Sequence, residues 1–95
     1  MPRAPQYSAL RDFLRGYLHE DFPEEYGTLE KAIRDFKHHA DWDLAALVAL
    51  QFHNFITEHQ GEPIEDVDQA LSRLGSAYAF LSWDELLEFE RLLYS

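Results

Sequence analysis

The residues best placed to do chemistry lie together, in His19-Glu20-Asp21. The surrounding segment FLRGYLHEDFPEEYGT (13–28) packs four aromatics, one histidine and four carboxylates into sixteen residues. A histidine beside two acids is the raw material of a metal site or an acid–base pair. The spacing argues against both, because His19 and Asp21 stand at i and i+2 and a helix does not turn both toward one ion. The same residues read fully as a connector. His19 ends one helix, and Pro23 starts a short turn with Glu24 and Glu25 at its N-terminal end. Gly27 lets the backbone reverse before Thr28, which caps the next helix. Phe22 and Tyr26 tuck toward a core, and Asp21 is left to accept from backbone donors in the turn.

The remaining candidates are weaker. His38 and His39 are adjacent and expected to point apart, and His53 and His59 fall on different sides of one helix. No His-Glu-x-x-His motif occurs, and no Glu-x-x-His pair of the kind that builds a di-iron bundle; Thr57-Glu58-His59 does not supply one. There is no cysteine, so thiol nucleophiles, disulfides and Cys-ligated zinc are absent together. The four glycines form no phosphate-cradling loop or nucleophile elbow. Eighteen acids make paired carboxylates common without making any pair poised. The expectation is no catalytic residue, no cofactor and no metal. An enzyme or ligand-binding bundle using carboxylates and histidines is the rival class, and a stoichiometric bound ion in the purified protein would favour it.

The elements that would position these residues are all helical. Leu10, Phe13, Leu14, Tyr17 and Leu18 recur at i, i+3, i+4, i+7 and i+8, one stripe of a helix. Gly16 lies on another face of it and suggests close approach by a neighbour. After the Thr28 cap, Leu29, Ala32, Ile33, Phe36 and Ala40 give a second buried face, with Lys37, His38 and His39 near the negative dipole end. A third helix is expected from near Asp41 to about Gln60, with Gly61 as its C′ residue. Its segment LAALVAL is apolar nearly all round, which predicts a helix surrounded by others; Phe52, Phe55 and Ile56 continue the burial. Pro63 stands near the start of a fourth helix carrying Ile64, Val67, Leu71 and Leu74, stopped by Gly75. SAYAFLS connects to a capping box, Ser82-Trp83-Asp84-Glu85, that opens a last helix with Trp83, Leu86, Leu87, Phe89, Leu93 and Tyr94 apolar. The reading is an all-α bundle of about five helices, one domain over residues 1–95. With 46% hydrophobic residues the chain can fill a core. No segment has the length of a signal peptide's apolar run or a membrane span, so a cytoplasmic location is expected.

Charge narrows the function classes. The formal net charge is −10, from eighteen acids against eight bases. Residues 1–37 are nearly balanced, with seven acids and six bases, while residues 38–95 carry eleven acids and two bases. Not one Lys or Arg stands between His38 and Ser72. Nucleic acids and anionic membranes are therefore not expected partners, since both are bound by clustered cations. A basic protein surface would be attracted and steered. Asp41 and Asp43 open the third helix, and Glu62, Glu65, Asp66 and Asp68 cluster around the start of the fourth. Dipole matching explains part of that cluster, but not a run of thirty-five residues with no compensating cation.

The connector carries a resemblance. Leu10-x-x-Phe13-Leu14-x-x-Tyr17-Leu18-His19-Glu20-Asp21-Phe22, then Glu25-Tyr26-Gly27-Thr28, then Ala32-Ile33 and Phe36, is similar to the small helical immunity proteins of bacterial contact-dependent growth inhibition. The pattern covers about a quarter of the chain, and helix order, length and acidity extend the likeness loosely over the rest. The resemblance implies a protein that binds and neutralises a cognate toxin domain delivered by a neighbouring cell. It brings no catalytic residues. Because toxin-contacting surfaces differ between members, it implies that the shared residues Tyr17, His19, Asp21, Phe22, Glu25, Tyr26, Gly27 and Thr28 hold the scaffold.

The expected partner is the C-terminal toxin domain, a nuclease with a basic groove, bound by occlusion to a monomeric immunity protein. The surface residues expected to meet it are Glu62, Glu65, Asp66 and Asp68, then Asp41 and Asp43. Tyr78 and Phe80 are candidate aromatic anchors, with core packing the alternative for each. A rival of another kind is an acidic regulatory adaptor or nucleic-acid mimic for some other basic protein. Recovery of the toxin in a pull-down from the protein's own cells separates the two.

Overall fold

The computed structural model describes residues 7–19 and 27–94. Among the described residues five α-helices follow one another: α1 (Ser8–Tyr17), α2 (Leu29–His39), α3 (Trp42–Glu58), α4 (Ile64–Leu74) and α5 (Trp83–Tyr94). Among the described residues there is no strand, and no helix is long and apolar enough to cross a membrane. The all-α expectation holds. Asp21, Phe22, Glu25 and Tyr26, with the turn expected at Pro23–Tyr26, lie outside the described residues.

Local chemistry sets most helix ends. Thr28 caps α2, its Oγ1 accepting from Lys31 N–H at 3.1 Å, and Glu30 stands in the first turn while Lys37, His38 and His39 occupy the last. Asp41 caps α3 the same way, Oδ1 accepting from Leu44 N–H at 2.7 Å. Gly75 ends α4 at φ +127°, a conformation that side chains rarely adopt. Ser82 Oγ accepts from Glu85 N–H at 3.2 Å. The Glu85 carboxylate then departs from the capping-box pattern: it accepts from Leu81 N–H at 2.9 Å and from the Tyr78 hydroxyl at 2.8 Å, so it pins the incoming loop instead of the cap residue. Burial and that carboxylate push the Tyr78 phenol up to about 12.

α1 is capped from a distance. Its N-cap, Tyr7, makes no side-chain cap bond. The missing acceptor comes from α3, where the buried Gln51 takes Leu10 N–H on Oε1 at 2.9 Å. Gln51→Leu, close in shape, should leave that N–H without a partner and cost about 1–3 kcal/mol. Gln51→Glu, which retains an acceptor oxygen, separates hydrogen bonding from shape; urea unfolding of the pair measures it.

The core lies where α1, α3 and α5 meet, with α2 packed on all three of these helices and α4 on α1. Leu10, Phe13 and Leu14 from α1 meet Val48, Phe52 and Phe55 from α3, and Leu86, Phe89 and Leu93 from α5. Aromatic rings lock the centre: Phe13 stands edge-on to Phe36 at 4.7 Å, and Phe52 to Phe89 at 4.9 Å. Tyr17, half-buried, stacks on Phe13 at 5.5 Å.

Four boundary and packing expectations change. α1 ends at Tyr17, with Leu18 as its cap, so His19 lies beyond the helix. α3 ends at Glu58 with His59 as its cap, which puts Gly61, at φ +90°, one residue past the C′ position. Nothing lies within 4 Å of where a Gly16 Cβ would stand; the close approach is at Gly75, where a Cβ would come within 2.6 Å of the Arg15 Cγ. Most consequentially, α3 is not surrounded. Val48 and Ala49 are buried, but Leu44, Leu47 and Leu50 are exposed. Neighbouring helices cover one side only, and residue types alone do not reveal how many neighbours a helix has.

Candidate functional site

The six carboxylates expected to meet the toxin fall into two groups. α3 has seventeen residues and rises ~25 Å between them at 1.5 Å per residue, in a body of 32 × 32 × 24 Å. Asp41 and Asp43 stand at its N-terminal end. Glu62, Glu65, Asp66 and Asp68 stand past its C-terminal end, around the start of α4.

Within each group the roles divide again. At the α4 end, Glu62 Oε1 lies 3.0 Å from His59 Nδ1, and its backbone carbonyl accepts from Trp83 Nε1 at 2.8 Å. Asp68 Oδ1 accepts from Phe80 N–H at 2.8 Å, tying the connector to α4. These two acids hold the loops between α3, α4 and α5. Glu65 and Asp66 are exposed in the first turn of α4, with no ion pair or side-chain hydrogen bond among the described residues. At the other end Asp41 is committed to its cap, whereas Asp43 is exposed and unpaired in the same sense. Of these six, the acids available to meet something else are Asp43, Glu65 and Asp66.

Phe80 is not an anchor on the surface, and Tyr78 is half-buried beside it. Phe80 belongs to the core, edge-on to Phe89 at 5.4 Å, and Tyr78 packs on Phe80 at 4.9 Å. Ser76 shapes this connector from within, its Oγ accepting from Tyr78 N–H at 3.2 Å, while Ala77 N–H reaches back to the Leu18 carbonyl at 2.7 Å. The large exposed aromatics are others: Trp42, 84% exposed, and Tyr94, 57% exposed. Trp42 begins α3, where Leu44, Leu47 and Leu50 are also exposed; Leu50 lines the same groove as Trp42, whereas Leu44 lies on the side toward α1 and α2. Between this half of α3 and the end of α5 runs that groove, of about 520 Å³, with Ala45, Ala46 and Ala49 along α3 and Leu93 and Tyr94 on the α5 side. The Tyr94 hydroxyl donates to the Ala49 carbonyl at 3.3 Å, and Lys37 Nζ donates to the Leu92 carbonyl at 2.9 Å, so both walls are fixed. The sequence carried only an ambiguous signal for this surface, because apolar residues all round one helix read equally as burial on every side.

The histidines are spread over the surface. His53 Nδ1 lies 2.8 Å from Glu90 Oε2, His59 stacks on Phe55 at 4.4 Å, and His39 Nδ1 meets the Asp35 carbonyl at 2.8 Å. His38 and His39, expected to diverge, form an edge-to-face pair at 5.3 Å. Among the described residues no three His, Asp or Glu side chains gather as a metal-binding group.

The geometry offers a rigid helical body with two separated acidic ends and an uncovered apolar face beside one of them. That is equipment for binding a protein. The sequence model of the family described as CdiI immunity protein matches residues 6–88. No curated protein and no solved structure matches the chain.

Proposed function

This chain belongs to the family of CdiI immunity proteins, and from that premise we propose that it acts in the cytoplasm as a stoichiometric shield that covers its cognate toxin domain. The toxin is a nuclease in this reading, and its basic substrate surface is what the acidic body meets. One observation supports the charge reading above others: Asp43, Glu65 and Asp66 are exposed without counter-charges among the described residues, in a chain of net charge −10. An acidic surface of this kind raises the association rate with a basic partner and rejects like-charged ones. Protection demands that almost no free toxin persists, which calls for nanomolar or tighter binding, about −12 kcal/mol.

The test is rescue. Where a large secreted protein with a variable C-terminal domain is encoded beside this chain, cells expressing that domain should die, and co-expression of this chain should restore growth. Purified toxin should degrade nucleic acid, and that activity should vanish at one equivalent of this chain. Failure to restore growth would overturn the proposal; rescue of a toxin that degrades no nucleic acid would remove the nuclease from it.

A further inference from the structure

We infer that the uncovered N-terminal half of α3, with its groove against the end of α5, is where the toxin anchors: it receives an apolar segment flanked by Lys or Arg. This rests on the immunity reading above and specifies the face it uses.

Three observations carry it. Trp42 is 84% exposed and Leu50 51% exposed, at one edge of a groove whose alanine residues leave room for side chains from outside. A large apolar surface left open beside polar residues on a small domain marks an interaction site. The aromatic residue at its edge is of the type that concentrates binding energy. Secondly, the walls are tied down by the Tyr94–Ala49 and Lys37–Leu92 hydrogen bonds, so the groove is formed before a partner arrives and little ordering is needed on binding.

The third observation decides the occupant. Asp41 and Asp43 border the face against one cation of the groove, Lys37, whose Nζ donates to the Leu92 carbonyl, and no Lys or Arg follows it in the chain until Arg73. A second copy placed on this face across a two-fold axis would set like surface against like. It would offer this face's two aspartates and single lysine to the same set, between two bodies each of charge −10. A cationic partner meets the same rim as attraction. A basic protein domain with an exposed apolar segment satisfies both halves of the surface; a second copy satisfies one.

The experiment measures binding of the toxin domain identified by the rescue test to the full chain by calorimetry, comparing wild type with Trp42→Ala and with Leu47→Ala/Leu50→Ala. All three side chains are exposed, so the variants should retain the wild-type melting temperature, and circular dichroism verifies it. Each variant is expected to raise Kd by about thirtyfold or more, the scale of an interface hot spot. A second readout needs no truncation: with 5-fluorotryptophan in this chain, the Trp42 fluorine resonance should shift on toxin binding. Wild-type binding with less than threefold change in both variants and an unmoved Trp42 resonance would overturn the inference and leave the immunity reading standing. Absence of wild-type binding would overturn both. Self-association abolished by Trp42→Ala, with toxin affinity unchanged, would assign the face to a second copy and equally overturn it.

Discussion

Replacing Phe89 with alanine is expected to destabilise the domain by about 3–5 kcal/mol, the usual cost of emptying a buried phenylalanine site. The expectation rests on how many segments meet there. Phe89 is fully buried and touches the rings of Phe13 at 5.9 Å, Phe52 at 4.9 Å and Phe80 at 5.4 Å. Those three rings come from α1, α3 and the connector before α5, so one truncation opens a void that four segments share. Rigid rings around such a void cannot easily collapse into it, which places the cost toward the upper part of the range. A domain of this size holds ~5–15 kcal/mol in total, and each kcal/mol moves Tm by ~4–8 °C. The Tm should therefore fall by more than about 12 °C. Urea unfolding checks the free energy, and a loss below about 1 kcal/mol would mean that Phe89 does not join the segments as described. Function follows the same contact, because α5 supplies Leu93 and Tyr94 to the groove: loosening α5 should weaken binding at a surface that Phe89 never reaches.

What the sequence made legible was local. Thr28, Asp41, Gly75 and Ser82 act within four residues of themselves, through an N–H three positions on or a backbone angle at one position, so residue type and place suffice. Apolar spacing likewise placed Leu10, Phe13, Leu14, Phe36, Val67 and Leu71 inside. What escaped was relational. Gln51 caps α1 across forty-one positions, and a glutamine within an apolar helix carries no sign of whose N–H it will accept. Arg15 packs on Gly75, so the close approach belonged to a glycine that had already been explained as a helix stop. The apolar ring of α3 looked like a helix with neighbours all round, when neighbours stand on one side and the remainder faces outward.

The roles of the acidic residues were hidden for the same reason. Clustering in sequence gave two groups their membership, and the length of α3 keeps them at opposite ends. Hydrogen bonding then withdrew Asp41, Glu62 and Asp68 into caps and loop ties. Charge counted along a chain does not distinguish a carboxylate that accepts a backbone N–H from one that waits in water. With Asp43, Glu65 and Asp66 left, long-range steering can be distributed over both ends while short-range contact is concentrated at one.

That division makes Glu65→Lys/Asp66→Lys the informative charge variant. It changes the net charge by four, and both residues are exposed and bear no structural bond among the described residues. Its cost to folding is confined to the α4 dipole, which loses two favourable acids in its first turn, ~0.3–1 kcal/mol each. Electrostatic steering raises association rates by ~10–10³. The reversed variant should therefore bind the cognate toxin domain at least tenfold more slowly at low ionic strength. The deficit should shrink as salt rises, because at 1 M the screening length falls to ~3 Å and neither protein then feels the other's field before contact. Dissociation should change much less than association, since α4's first turn lies ~25 Å from the Trp42 end along α3. Asp43→Lys, at that end, should slow association and also speed dissociation. Asp68→Asn removes a charge yet retains an acceptor for Phe80 N–H, and it should alter association by no more than one charge's share. Stopped-flow mixing across a salt series measures all of these. If Glu65→Lys/Asp66→Lys associates as fast as wild type at every ionic strength, acidity at the α4 end takes no part in capture. If it instead dissociates faster than Asp43→Lys, the contact lies at α4 and the roles of the two ends are reversed.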